Sequence, residues 1–455
     1  METIISINLV SISFFAAIVF TGFFRTLSKR FQILIDLPNK TRKLHHRPTP
    51  LVGGLGIHFA MLFGFLILII SVDTKIYDRD RNLQSINSSI EIIGTNESEK
   101  YNFSASKIPS NGGLSKNNIF EINIEGIDAP IKVFKNEDNH FELIAPDGTL
   151  RVFSFQNGKL TDLNDNNVLE IKEPEEAKYF SIDSTMVSII IFGIIFQLIM
   201  LLDDLFGLSQ IKRLLIQSAA SVGVISLSGE YITNVGFQIL NWDGSLGSFG
   251  IFFTIFAVTG VINAFNMIDG INGLCSGIVL IIFIALSMLG ADSTMSYANL
   301  IIISSLSGFL VYNLGLFGRK RAVFLGDNGS NFLGFITAWS LITYSSEAIN
   351  LMNPVTALWM VAIPLWDCIG MIFHRISKGR AAFDGDREHI HHVLFDRTSL
   401  SGYWPLIILL SLNFCFAFLG IAIEEFISPL ISLLCFICLG VIFLAAKNKL
   451  FSKAY

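Results

Sequence analysis

Apolar runs of about 20 residues, the length needed to cross roughly 30 Å of hydrocarbon, recur along this chain and are broken by short polar stretches. Eleven can be marked: 4–24, 51–71, 182–202, 211–228, 248–265, 272–290, 297–317, 330–345, 354–374, 404–423 and 426–446. The pattern predicts an all-α polytopic membrane protein with about eleven transmembrane helices. One long polar stretch interrupts it, so three regions are expected. Residues 1–72 hold spans 1 and 2 with the loop between them, 73–180 form an insertion, and 181–455 hold spans 3 to 11. The first run has no small-residue cleavage site followed by a soluble domain, which favours a span over a removable signal peptide.

Composition supports the membrane reading. The chain is 52% hydrophobic and only 15% charged, against roughly 25% charged in an ordinary soluble domain. All five cysteines fall inside predicted spans, which excludes a disulfide framework in the polar insertion. Cys435 and Cys438 have CxxC spacing, but mid-span the plainer expectation is packing. No basic surface calls for nucleic acid as a partner.

Charge sets the expected orientation. The first loop, "RTLSKRFQILIDLPNKTRKLHHR", carries seven Lys and Arg against the single acid Asp36, and by the positive-inside rule it is cytoplasmic. Eleven crossings from that anchor put the amino terminus outside and the carboxyl terminus inside. They also put inside the Asp203/Asp204 turn, "GRKR" at 318–321 and "HRISKGRAAFDGDREHIHHVLFDR". Every dense cluster of charge and histidine is thus expected on one side.

The insertion is expected outside. Residues 75–180 carry 18 Asp and Glu against 12 Lys and Arg, which accounts for the whole formal charge of −5. Its first part, rich in Asn and Ser, reads as a linker. From about 119 the sequence alternates as strands do, with Asp147-Gly148 as a hairpin turn, so a small β meander is predicted.

Four polar clusters carry candidate chemistry. Asp203 and Asp204 end span 3, and Lys212 and Arg213 open span 4. Ionisable groups in membrane proteins are costly and as a rule face a cavity, pair or mark a pathway. A carboxylate pair with cations nearby suits a hard divalent ion and phosphate; solvated carboxylates at a helix end are the alternative. In "NAFNMIDGINGLCSG", Asn263, Asn266, Asp269 and Asn272 recur every three residues, which aligns them on one helix face. Their glycines permit a helix break of the kind tolerated only where backbone lines a site, and interhelical polar glue is the alternative.

The third cluster, "RAVFLGDNGSNFLGF", places Asp327 among glycines just after Arg319, Lys320 and Arg321. A carboxylate among backbone amides and cations fits a metal and diphosphate position. The fourth, "DGDREHIHHVLF", gathers Arg387, His389, His391 and His392. Clustered histidines admit zinc, but no cysteines and no HExxH spacing accompany them. Anion or sugar binding by Arg and imidazole is the preferred reading.

In this order, "LLDDLFGLSQIKRLLIQ", "INAFNMIDGINGL", "VFLGDNGSNFLGF" and "DREHIHHVLF" resemble the polyprenyl-phosphate N-acetylhexosamine-1-phosphate transferases. "LIDLPNKTRKLHHRPTPLVGG" and "NPVTALWMVAIPLWD" extend the resemblance over nearly everything except 73–180. The bacterial undecaprenyl-phosphate N-acetylglucosamine-1-phosphate transferases are the most similar subgroup. The resemblance implies a multi-pass enzyme of the bacterial inner membrane whose site faces the cytoplasm. It implies transfer of an amino-sugar 1-phosphate from a UDP-N-acetylhexosamine to undecaprenyl phosphate, with release of UMP, as the first step of a lipid-linked surface polysaccharide. It further implies Mg²⁺ or Mn²⁺ as cofactor, membrane lipid as surroundings, and an assembly that can include a homodimer.

By the same resemblance, Asn266 and Asp327 match metal positions and Arg213 the residue on the diphosphate, with Lys212 its neighbour. Asp203 and Asp204 match the acidic pair, Asp203 as base for the lipid phosphate; a covalent carboxylate intermediate is the other mechanism. Asp269 and Asn272 would face nucleotide or metal, and Arg387 and the three histidines the sugar and phosphate. Asn272 stands where many bacterial relatives carry Asp, and the long insertion is absent from the usual pattern. The reading from another class is an ion-coupled transporter, whose carboxylates would sit near the bilayer midplane in an inverted repeat. A scaffold displaying the meander outside would explain 73–180 alone.

Overall fold

The computed structural model describes residues 2–37, 47–71, 184–240, 242–290, 293–380, 389–397 and 402–452, together with strand residues between 74 and 182. The chain divides into two compact units, Met1–Asp73 with Ser184–Tyr455, and Thr74–Asp183.

The first unit is a helical membrane bundle. Its helices are α1 (Glu2–Phe31), α2 (Gly53–Ser71), α3 (Ser184–Phe206), α4 (Gln210–Ser228), α5 (Phe249–Ile268), α6 (Leu274–Ser287) and α7 (Ser293–Asn313). They continue with α8 (Asp327–Ser345), α9 (Pro354–Met360), α10 (Ala362–Ser377), α11 (Ile390–Arg397), α12 (Trp404–Glu424) and α13 (Pro429–Ser452). Two short strands, β1 (Ile35–Asp36) and β2 (Thr49–Pro50), pair antiparallel between α1 and α2.

Among the described residues, seven helices are long and apolar enough to cross a membrane by themselves: α1, α2, α3, α5, α7, α12 and α13. An eighth span arises if α9 and α10, bent by 82°, are counted as one. The remaining three apolar runs form helices that fall short of the length and apolarity of a lone span, each for a visible reason. At 1.5 Å per residue, the 14 residues of α6 rise about 21 Å, less than the roughly 30 Å of a bilayer core. Helices α4 and α8 carry polar side chains that apolar scales penalise. Nearly all of α8 is buried, packed against α2, α3, α5, α6 and α9, so its polar side chains are enclosed by protein, and several of them pair there.

Those partners form a hydrogen-bonded lattice. Gln197 Nε2 of α3 donates to Asn328 Oδ1 at 2.8 Å, and Gln217 Nε2 of α4 donates to Asn331 Oδ1 at 3.0 Å. Asn263 Nδ2 of α5 donates to Gln217 Oε1 at 2.7 Å, and Asn266 Nδ2 donates to Ser330 Oγ at 3.0 Å. Interhelical hydrogen bonds of this kind hold helices that hydrophobic burial cannot sort in lipid. Close approach adds to them: a Cβ on Gly334 of α8 would stand 2.7 Å from the Ile262 backbone of α5.

The bend between α9 and α10 also has a local cause. Pro364 has no N–H to return to the carbonyl of Met360, four residues earlier. Asn413 Nδ2 of α12 donates to that carbonyl instead, at 3.2 Å. Broken backbone at membrane depth survives only with such a replacement.

The second unit carries an eight-stranded antiparallel meander. A parallel pair, β3 (Thr74–Ile76) and β12 (Phe180–Ile182), joins its two chain ends. Between them run β4 (Ile86–Ile93), β5 (Ser98–Lys107), β6 (Phe120–Ile124), β7 (Ile131–Lys135), β8 (Phe141–Ile144), β9 (Leu150–Gln156), β10 (Lys159–Asp162) and β11 (Val168–Glu170), hydrogen-bonded in sequential order. The sheet begins earlier than the alternation from 119 suggests. Residues 86–107, which read as a linker, pair as β4 and β5 with Ile90 opposite Tyr101 and Ser88 opposite Phe103. Their interspersed Asn and Ser mask a period-two pattern. The Asp147-Gly148 turn lies outside the described residues, though the strands flanking it pair from Ile144 to Leu150.

Replacing Gln217 with Met keeps the volume but leaves the Asn331 carbonyl without its donor and one N–H of the Asn263 amide unmet, the other staying on the Thr259 carbonyl. Each orphaned buried group costs about 1–3 kcal/mol. Thermal unfolding of the detergent-purified protein should therefore shift down by several degrees; an unchanged midpoint would mean that the lattice re-pairs.

Candidate active site

Aspartates from three helices meet at one end of the bundle. Asp203 and Asp204 end α3, Asp269 follows the last residue of α5, and Asp327 opens α8. Arg213, in the first turn of α4, ties them: its Nε lies 2.8 Å from Asp203 Oδ2 and its Nη1 3.1 Å from Asp327 Oδ2. Nη1 donates a hydrogen bond to Asp327 and the charge of the same guanidinium pairs with Asp203, so one side chain holds two carboxylates on different helices.

The two adjacent aspartates occupy different surroundings. Asp203 is buried, and besides Arg213 it accepts the backbone N–H of Leu208 at 2.6 Å. Asp204 is held by Asn328, whose backbone N–H donates to Oδ2 at 3.2 Å and whose side-chain amide donates to the same oxygen. Asn328 in turn accepts from Gln197, which completes a chain of partners from membrane depth to the carboxylate.

The start of α8 is fixed from a further side. Phe324 N–H donates to the Pro50 carbonyl at 2.9 Å, Gly53 N–H to the Phe324 carbonyl at 2.9 Å, and Gly54 N–H to the Leu325 carbonyl at 3.0 Å. The chain before α2 and the chain before α8 therefore run together as a short backbone ladder.

A cavity of about 510 Å³ opens here, lined among others by Asp36, Asp269, Asn272, Asp327, His392 and Tyr403. Asp269, Asn272, Asp327 and His392 of the expected residues thus face one space. Asp203 and Asp204 lie behind it, each with its own partner. Asn263 does not line the cavity; it is spent on Gln217 and on the Thr259 carbonyl, the polar glue that was its alternative reading. Asn266 holds Ser330 one turn into α8. Lys212 is exposed on α4. Arg387 lies outside the described residues.

The histidines are presented by α11. His391 and His389 stack with centroids 5.7 Å apart and planes within 5°, and His391 and His392 are 4.2 Å apart. His391 is 1% exposed and packs against Gly270, where any Cβ would collide with its imidazole. Gly270 is thus needed for the space it leaves. Burial, and next the neighbouring His392, hold the His391 imidazole well below its ordinary value, so the ring is neutral at physiological pH.

Two groups here escape a sequence reading. Asp367, wholly buried in α10, holds His389, and Lys447 of α13 holds Asp367. The available signal is one charge inside the apolar run "IPLWDCIG" and the first of two lysines in "FLAAKNKLF"; charge in a membrane segment marks a paired or functional group.

The donor set can be tested against a metal. Among the described residues no three His, Cys, Asp or Glu side chains converge as a ready cage, which does not suit structural zinc. Two carboxylates on an open cavity suit Mg²⁺ or Mn²⁺, which keep several waters and take the remaining oxygens from a phosphate. Asp269 and Asp327 fit that demand.

Burial, followed by the charges of Asp327 and Asp204, pushes the Asp269 carboxyl up to about 8. The folded value lies above the ordinary carboxylate range near 4, so the folded state binds the proton more tightly. This contribution to stability is complete below about pH 4 and is lost as the pH rises through about 8. Without divalent ions, thermal stability should fall from about pH 5 to about pH 9, and Asp269→Asn should flatten that slope. An unaltered slope in the variant would assign it to another group.

Residues 186–345 match glycosyl transferase family 4. The undecaprenyl-phosphate alpha-N-acetylglucosaminyl 1-phosphate transferase of Yersinia pestis is 34% identical over 196 residues, 42% of this chain and 54% of that protein. Its namesake in Haemophilus influenzae is 37% identical over 198 residues, 43% and 56% of the two chains. That of Escherichia coli K12 is 32% identical over 196 residues, 42% and 53%. The chain spans about half the length of these curated relatives. The matched segment, 186–345, supplies all four aspartates and Arg213.

Proposed function

We propose that this protein transfers N-acetylglucosamine 1-phosphate from UDP-N-acetylglucosamine to undecaprenyl phosphate, releasing UMP. The observation that carries the proposal is the gathering of Asp203, Asp204, Asp269 and Asp327 around Arg213 beside one cavity, inside the segment shared with transferases of that name. In the proposed topology the chain crosses the bacterial inner membrane eleven times, with α4, α6, α8 and the bent α9–α10 pair counted as crossings inside the bundle. The site faces the cytoplasm, where the nucleotide donor is, and the second unit faces outward.

The reaction joins two anions. An oxygen of the lipid phosphate attacks the sugar-bearing β phosphorus of the donor; the new P–O bond forms as the bond to the α phosphate breaks, and UMP leaves. A phosphate monoester has a second pKa of about 6, so at neutral pH the acceptor is largely a dianion and needs little help from a base. The demand on the protein is positioning and charge neutralisation. Arg213, fixed by Asp203 and Asp327, would face the diphosphate, and Asp203 would serve by holding that guanidinium. Asp327 and Asp269, with Asn266 nearby, would hold Mg²⁺ or Mn²⁺, which when bound offsets phosphate charge. His392 and Asn272, on the cavity wall, would meet the sugar and phosphates. A covalent carboxylate intermediate has less room, because Asp203 and Asp204 are both engaged with protein donors.

The purified protein given UDP-N-acetylglucosamine, undecaprenyl phosphate and Mg²⁺ should release UMP and form the lipid diphospho-sugar, and EDTA should stop it. Asp327→Ala should lower kcat/KM by at least about 10²-fold, the scale for losing one preorganised electrostatic group. Full activity in that variant would sink the metal assignment. Substrate flux across proteoliposomes without UMP would favour a transporter.

A further inference from the structure

Behind the histidines lies a buried ionic cluster that the reaction, as proposed, does not touch. Asp367 sits in α10 at 0% exposure and accepts three donors from distant parts of the chain. Lys447 Nζ of α13 lies 2.6 Å from its Oδ1, the Ile390 backbone N–H lies 2.9 Å from the same oxygen, and His389 Nδ1 lies 2.8 Å from Oδ2. On the other side of the ring, Arg375 Nη2 lies 3.3 Å from His389 Nε2. A guanidinium can only donate, so Nε2 accepts and the ring proton sits on Nδ1, shared with Asp367.

The cluster fixes more than one ring. Ile390 is the first residue of α11, so Asp367 also anchors the start of the helix that carries His391 and His392, where a carboxylate is favoured by the exposed N–H groups. His391 stacks on His389 and fills the notch at Gly270. His392 reaches the cavity that holds Asp269 and Asp327. A rotation of His389 would therefore be passed to both histidines. Lys447 is itself buried at 5% exposure; without it Asp367 would keep two weaker donors and an uncompensated charge, a state buried pairs resist strongly.

We propose that Asp367 and Lys447 are positioning residues: a buried clamp that sets the ring orientation and proton position of His389, and through it the approach of His391 and His392 to the nucleotide-sugar donor. The inference rests on the transferase reading for its kinetic readout alone. It assigns α13 a part in donor recognition from behind the site, in the way that outer partners orient inner ligands.

The test uses the full chain in detergent, with Lys447→Met, Lys447→Arg and Asp367→Asn, each first checked for a monodisperse elution peak. Lys447→Met should raise KM for UDP-N-acetylglucosamine by about tenfold, the low end for losing such a partner, and leave KM for undecaprenyl phosphate nearly unchanged. Lys447→Arg should restore most of the donor affinity. Independently of activity, mass spectrometry after diethyl pyrocarbonate treatment should find His389 protected in the parent protein and modified in Asp367→Asn and Lys447→Met. Unmoved donor KM, an equal fall in kcat with both KM values intact, or His389 equally protected in all variants would overturn the clamp. A parent protein that releases no UMP would fail the transferase reading instead, and the labelling would still judge the clamp.

Discussion

Arg213 is the interaction on which the rest of the site depends. Four carboxylates brought to one end of a membrane bundle repel each other and lose hydration, and a low-dielectric setting magnifies both costs. A single guanidinium meets two of them, Asp203 at 2.8 Å and Asp327 at 3.1 Å, and in doing so joins the end of α3, the start of α4 and the start of α8. Asp204 is satisfied by the Asn328 amides. Asp269 carries a raised carboxyl value, from burial first and then from the charges of Asp327 and Asp204. The excess negative charge is what a divalent ion would offset, so the proposed metal requirement follows from the count of charges as well as from the donor types.

The lattice beneath Arg213 explains how such a cluster stays in place. In lipid, apolar burial gives helices little reason to prefer one neighbour over another. Asn328 and Asn331 on α8 face Gln197 of α3 and Gln217 of α4, and Asn263 of α5 closes the set. Each bond joins helices that also position an aspartate or Arg213. Stability of the bundle and precision of the site are therefore carried by the same residues, and losing one amide in the lattice would loosen the carboxylates above it.

Much of this was legible in advance and some could not be. Apolar run length locates the seven helices that can cross alone, because crossing lipid imposes it, and gives no sign of α11. The same rule marks 330–345 as a span although α8 meets protein on nearly every side, and it cannot see the 82° bend before α10, which comes from one missing N–H at Pro364. Spacing of three put Asn263, Asn266, Asp269 and Asn272 on one face, but that face serves two environments: Asn263 lies deep enough to be glue, while Asp269 and Asn272 reach the cavity. Asp203 and Asp204, adjacent in sequence, point to different partners for the same reason. Asp367 and Lys447 are 80 residues apart, and nothing local in either run names the other; only the fold brings them together behind His389.

The two sides of the cavity differ in how fully their polar groups are met, and this difference bears on how the site works. On the acidic side the carboxylates of Asp203, Asp204 and Asp327 all have protein partners, so that wall is organised before any ligand arrives. On the histidine side, His391 is 1% exposed with neither ring nitrogen hydrogen-bonded, a burden of about 1–3 kcal/mol for each orphaned group. The ring is kept there by His389 stacked on one side and the Gly270 notch on the other. The histidine side therefore carries a polar cost at His391 that the paired carboxylates do not.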